Sequence, residues 1–444
     1  MTTWTANGPD QGTGRVAARR AVEALRSGVP SRDAVAALGS GQPGIEERFA
    51  RLLAAASSPS PTRGLLLGGG FGSGKSHVLE HLAHLALEQE FAVSRVVVSK
   101  ETPLHDPAKV LRTAVETAQL PTGALDAVGE AAAGLDPGSP AYAELLAWAT
   151  GGAVDDRFAL TLRLLPRLQA GGDEFAESIV RFWSGDPLGV AALRRAAKQA
   201  GEPRPTLATV PARDLARHRI RFLARLFLAA GFRGWVILFD EVELIGRYSP
   251  LQRGRSYAEL AWWLHPDPED RQSPLRPVLA ITDDYAAALL DAKHDREGIP
   301  SKLRGKLSPA YAELAGQAEA GMAVLERQVV QLSPPRPEDL DRVYAKLRTL
   351  HGQAFGWEPP EVAGLERLGT TRMRQYVRAW INEWDLRRLD PDFQPETEVV
   401  PVAPRWDEDQ ALGSQEEGTG GEDEAARDEA ARDEAARDEA PDDW

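Results

Sequence analysis

Eight consecutive residues carry the most specific chemistry in the chain: Gly69, Gly70, Phe71, Gly72, Ser73, Gly74, Lys75 and Ser76. They fit G-x-x-x-x-G-K-[ST], the pattern of a phosphate-cradling Walker A loop. Glycines let the backbone turn tightly and aim successive N–H groups at an anion. A helix starting at the lysine adds the positive end of its dipole. Lys75 can reach β- and γ-phosphates, and the Ser76 hydroxyl can ligate Mg2+. His77 follows directly and joins the candidate nucleotide-contacting residues.

A loop of this kind needs an acid on the Mg2+ side. Trp235-Val236-Ile237-Leu238-Phe239 is an apolar run that ends in Asp240-Glu241. Asp240 is the expected Mg2+-side carboxylate. Glu241 is the expected general base toward an attacking water. A further strand, Pro277–Ile281, ends in Thr282-Asp283-Asp284. Thr282 is placed to position that water or, alternatively, to cap the next helix. ATP and Mg2+ are the expected ligands. The Asp-Glu pair points to hydrolysis rather than transfer to a second substrate.

These residues need a parallel sheet to hold them. Strands are expected at Gly64–Leu67, Ala92–Ser99, Trp235–Phe239, Val278–Thr282 and Gln328–Leu332, with a helix at Lys75–Glu90 after the glycine loop. This β-loop-α-β order predicts an α/β fold with a helix-covered parallel sheet. Residues 1–62 read as an N-terminal helical segment, with helices at Gly14–Gly28, Ser31–Gly39 and Pro43–Ala56. Residues 63–333 form the core, interrupted by a helical insertion at about 106–231. Residues 334–396 read as a helical lid, with helices at Pro337–His351 and Thr370–Leu389. Residues 397–444 read as a disordered acidic tail.

Composition sets the limits. The 444 residues are 43% hydrophobic, enough for a full core, and contain no cysteine. That excludes disulfides, thiolate zinc sites and a cysteine nucleophile, and it fits a reducing, cytoplasmic setting. Mean hydropathy is −0.34. No apolar run approaches a membrane span, and residues 1–15 show no secretory signal. The net charge of −14 is concentrated in residues 405–444, which hold 16 acids and 4 arginines; the remainder carries only −2. Within that stretch, Glu424–Ala440 repeats the unit EAARD. It has helix-favouring residues but no apolar face.

Taken together, the order of motifs resembles the AAA+ ATPases, in particular the branch of origin-recognition and related proteins. The similarity rests on the glycine loop, Asp240-Glu241, Thr282 and the segment QLSPPRPEDL leading into the lid. The resemblance implies a sensor arginine in Gly369–Arg374 that reaches back to the γ-phosphate, with Arg372 the first candidate and Arg374 the second. A closer resemblance is to the ATP-binding proteins of BREX phage-defence systems, of the BrxD type. It is carried by GLLLGGGFGSGKSHVLEHLAHLAL, VVVSKETPLHDPAKV, ILFDEVELIGRYSPLQRGRSYAELAWWL and the N-terminal AVEALRSGVPSRDAVAALGSGQPGIEERF. It spans most of Gly14 to Leu389 and implies an ATPase that acts with other defence-system proteins, with a homo-oligomer as one arrangement. The alternatives are a DNA-binding initiator or loader ATPase and a nucleotide-dependent switch with little hydrolysis.

Other patterns compete for attention. His77, His81 and His84 share one helix face, a spacing that permits a metal, though packing explains it as well. Trp262-Trp263 near Arg253 and Arg255 suits base stacking on nucleic acid, or burial at a core or subunit interface, which is favoured. Arg367–Arg388 carries net +4 and is a candidate DNA-facing patch, although Trp380 and Trp384 within it look like packing. Arg304, Arg253 and Arg255 are candidates for an arginine inserted into a neighbour's site.

Overall fold

The computed structural model describes residues 9–29, 31–55, 64–203, 207–265, 273–362 and 373–392. Five parallel strands make its centre: β1 (Leu65–Gly68), β2 (Ala92–Val97), β3 (Trp235–Asp240), β4 (Leu275–Ile281) and β5 (Val329–Gln331). Their order across the sheet is β2-β3-β4-β1-β5. The expected strands are all present, shifted by a residue or two, except that β4 begins three residues early. Leu275, Arg276 and Pro277 pair with Trp235, Val236 and Ile237. Arg276 disguises this start, because a charged residue rarely opens a central strand. Its guanidinium is buried and donates to the carbonyls of Leu52, Ala55, Ser273 and Leu275, so burial leaves its donors satisfied.

Strand β3 shows why the sheet must be covered on both faces. Trp235 to Phe239 are all buried, the continuous apolar run expected of a central parallel strand. Its side chains alternate between two cores. Val236 and Leu238 join the face covered by α3 (Pro43–Ala54) and α4 (Lys75–Glu88), with Phe49, Val78 and Leu82. Trp235, Ile237 and Phe239 join the other face.

That second face takes in the insertion. It comprises α5 (Pro107–Glu116), α6 (Ala127–Ala133), α7 (Pro140–Thr150), α8 (Asp156–Gly171), α9 (Phe175–Ser184), α10 (Val190–Gln199) and α11 (Ala212–Ala229). Phe158, Phe182, Trp183 and Phe222 stack inside it with ring centroids 4.8–5.2 Å apart. Phe227 then meets Trp235 of β3 at 5.5 Å, so the insertion's core is continuous with that of the sheet. The same face receives α12 (Pro250–Leu264), α13 (Asp295–Arg304) and α14 (Pro309–Arg327).

The first and last described helices meet. α1 (Pro9–Ser27) and α2 (Arg32–Leu38) pack on α15 (Pro337–Phe355) and α16 (Met373–Leu389). Ala18, Ala21, Val22 and Ala34 share one cluster with Leu347, Trp380, Ile381 and Trp384. Trp380 and Trp384 of the basic lid segment are therefore packing residues. Among the described residues no helix is long and apolar enough to cross a membrane.

Candidate functional site

The site lies at the C-terminal edge of the sheet. β1 runs into the glycine loop and the loop into α4, whose first residue is Lys75. Gly72 and Gly74 have φ of 78° and 103°, a region side-chain-bearing residues avoid. The loop can close only with glycine there, and that closure presents the open N-terminal end of α4 to an anion. Lys75 is buried. Its Nζ donates to the Gly69 carbonyl at 2.9 Å and stands 3.6 Å from Glu243 Oε1.

The acids come from the end of β3. Asp240 Oδ1 accepts the Glu241 N–H at 2.9 Å. Glu241 has φ 57° and ψ 32°, an uncommon left-handed conformation for a side-chain-bearing residue. Burial raises its pKa, and Asp240 adds to the rise; Lys75 and Arg374 oppose it. Glu243 lies on the following 3-10 turn, Val242–Arg247. It is buried, its Oε2 has no hydrogen-bond partner, and burial pushes its pKa up to about 7 against the pull of Lys75.

β4 sits between β1 and β3, so its end falls between the loop and the acids. Thr282 is buried there, and its Oγ1 makes no hydrogen bond. The capping alternative fails on that point, since a cap hydroxyl must accept from the helix backbone.

A cavity of about 400 Å³ opens over the loop. Phe71 to Val78, Glu241 and Glu243 line one side. Gly39 to Pro43 and the end of α1 line another, and α15 and α16 the third. The N-terminal helices thus build part of the site, which helix periodicity alone did not indicate. Arg374 lines the cavity and donates from Nη2 to the Gly28 carbonyl at 2.9 Å. Arg372, the first-choice sensor residue, lies outside the described residues. Arg342 and Lys346 of α15 also line the cavity, and no motif in the sequence singles them out. Glu243 was missed as well; its only signal was a third acid just past the Asp-Glu pair.

His77, His81 and His84 have separate environments. His77 Nε2 lies 2.7 Å from the Gly39 carbonyl and lines the cavity; burial lowers its pKa. His81 pairs with Glu46 at 3.0 Å, and His84 Nε2 has no partner. Among the described residues no three His, Asp or Glu side chains are arranged to hold a metal.

The arginine-finger candidates separate. Arg253 is buried and binds Asp295 through two hydrogen bonds of 2.8 and 2.9 Å, so it cannot project from the surface. Arg304 is exposed and pairs with Glu319 at 2.7 Å. Arg255 stands near His105, whose pKa it helps to lower. Trp263 is in the core, edge-on to Phe239 at 4.8 Å, and Trp262 lies under the Arg217 guanidinium at 5.4 Å.

The residues fit a magnesium nucleotide. The loop supplies a turn closed by glycine, Ser76 a hydroxyl, Asp240 a carboxylate, and Thr282 and Glu243 buried polar atoms with no partner of their own.

No curated protein and no solved structure was found to match the chain. A family model does: residues 15–131, from α1 through the glycine loop into α6, match the family described as BREX system ATP-binding protein BrxC/D, which bears out the resemblance read from the sequence.

Proposed function

We propose that this chain binds and hydrolyses ATP with Mg2+ as an AAA+ type ATPase of a BREX antiphage system. One observation carries the reading: the buried Lys75 of the glycine loop lines one cavity with Glu241 and Glu243, the acids just past the end of β3, and stands 3.6 Å from Glu243. The strand order supports it, since β4 separates the two and presents Thr282 between them.

In this reading the backbone N–H groups of Gly69 to Ser76 hold the phosphates and Lys75 neutralises the β- and γ-oxygens. Ser76 and Asp240 would hold Mg2+, which supplies further charge neutralisation on the phosphates. Glu241 takes the proton of the attacking water. Burial makes Glu241 a stronger base than an exposed carboxylate. Thr282 orients that water. Arg374 reaches the phosphate side from α16, in the role first assigned to Arg372. His77 fixes the loop-proximal turn of α4 to the Gly39 backbone. The bundle of α1, α2, α15 and α16 serves as a lid whose motion passes the nucleotide state to other defence proteins.

The cellular test is phage challenge of a strain carrying the complete defence locus. Lys75→Ala should abolish protection while the protein remains at wild-type abundance. Full protection by that variant would remove the proposed role.

A further inference from the structure

The lid bundle carries a charge imbalance on its outer end. α1 runs antiparallel to α16: Arg374 bonds Gly28, Arg26 lies 2.5 Å from Asp385, and Arg19 and Arg388 share one ring. That ring is Phe355, at the end of α15, with the two guanidinium carbons 5.5 and 4.5 Å from its centroid. Arg15 joins them by donating from Nε to the Ala354 carbonyl at 3.4 Å.

The neighbours Arg20 and Arg26 have carboxylates, Asp33 and Asp385. Among the described residues Arg15, Arg19 and Arg388 have none; their contacts are the ring and the carbonyl. The C-terminal end of α15 attracts cations, but a helix end is worth only about half a charge. Three guanidiniums outweigh that half charge, and the exposed Asp390 and Asp392 just past α16 offset part of the remainder. Exposed apolar side chains flank them: Val16 beside Arg15, and Leu386 and Leu389 beside Arg388.

The chain leaves the bundle here. α16 ends at Leu389, and 13 residues beyond Asp392 begins the stretch 405–444 with its 16 acids and 4 arginines. A linker of that length spans roughly 20 Å if flexible. The acids are thus held at a local concentration on the order of millimolar. Val399, Val400, Val402 and Trp406 in and beside the linker offer apolar groups to the flanking leucines and valine.

We propose that the acidic segment 405–444 docks on Arg15, Arg19 and Arg388 of its own chain. The contact is tethered, exposed and electrostatic, and therefore sensitive to salt. Both helices that carry the arginines also line the cavity, α1 through Leu25, with Gly28 just past its end, and α16 through Arg374 and Val377. Docking at their outer ends is coupled to the lid's position. That coupling rests on the function proposed above; the docking does not.

The chain has no cysteine, so Glu358→Cys and Ala436→Cys supply the only thiols for a dye pair. Glu358 is fully accessible just beyond α15. Energy transfer in the full chain should be high at low salt and fall in 0.5 M salt, where the screening length is about 4–5 Å. Arg15→Glu, Arg19→Glu and Arg388→Glu together should bring the low-salt value down to the high-salt one. Neutralising the repeat acids Glu424, Asp428, Glu429, Asp433, Glu434 and Asp438 to Gln or Asn should do the same without touching the folded body. Lys302→Glu with Lys306→Glu, in another layer, should leave the transfer unchanged. Low-salt transfer that survives both the arginine reversal and the acid neutralisation overturns the proposal. So does transfer unaffected by the reversal while binding of a short DNA duplex is lost, which would make the cluster a nucleic-acid surface.

Discussion

Lys75 Nζ stands 3.6 Å from Glu243 Oε1, with both side chains buried at the mouth of the glycine loop. The lysine donates to the Gly69 carbonyl at 2.9 Å and pairs with an acid that is neither the proposed Mg2+-side carboxylate nor the proposed base. In the proposed function a phosphate entering the loop must compete with Glu243 for Lys75, and it meets Glu243's own negative charge.

Glu243→Gln should therefore tighten binding of a non-hydrolysable ATP analogue by about tenfold at pH 8, roughly 1.4 kcal/mol. The Glu243 pKa of about 7 sets the pH dependence. Above it the wild-type side chain is ionised and repels the nucleotide; at pH 6 it is mostly protonated and the advantage of the variant should shrink. Calorimetric titration at both values checks this. Weaker binding by the variant at pH 8 would mean that Glu243 supports the bound state instead.

Arg374→Ala should lower turnover by about a hundredfold to a thousandfold, the scale for losing one donor at a site of developing charge. Steady-state phosphate release measures it. Arg374 also ties α16 to Gly28, so Arg374→Lys is the companion: it keeps charge without the fork and should recover part of the rate. Wild-type turnover in the alanine variant would leave the lid without its arginine.

The glycine loop, Asp240-Glu241 and the strands around them were legible in sequence because each is local: a turn that needs glycine, or an apolar run ended by acids. What escaped was non-local. Nothing in Arg15 to Leu25 says that α1 will pack against α15 and α16 and line the cavity with Leu25. Arg253 read as a surface finger because its partner Asp295 is far along the chain and is met only through tertiary packing. Arg276 hid the start of β4 because its carbonyl partners, Leu52 and Ala55, come from α3 and its cap.

His105 gives a pH test away from the cavity. Its pKa is lowered to about 3, first by burial, then by Arg255, Lys109 and Arg213. The unfolded chain takes up this proton below about 6.5, the folded chain only near 3. The folded state is favoured above 6.5 and loses that advantage as pH falls toward 3. His105→Gln should therefore lose less thermal stability than wild type between pH 7.5 and 5. Equal losses in calorimetric melts would remove His105 as the cause.

Trp263 and Trp262 separate full burial from half burial. Trp263→Ala empties a buried site against Phe239 and should cost about 3–5 kcal/mol in unfolding free energy. Trp262→Ala leaves a half-buried position and forfeits the Arg217 contact and the edge-on contact with Trp263 at 4.6 Å; it should cost less, about 1–2 kcal/mol. Denaturant titration reads both. Equal costs would contradict the buried position of Trp263.

The most direct measurement is ATP turnover by wild type beside Lys75→Ala and Glu241→Gln, with nucleotide binding read in parallel. Wild type should release phosphate in a Mg2+-dependent way. Lys75→Ala should bind ATP poorly and release little phosphate. Glu241→Gln should bind ATP normally yet turn over at least about a hundredfold more slowly. Equal turnover in all three proteins would contradict the assignment of this site as the place where ATP is hydrolysed.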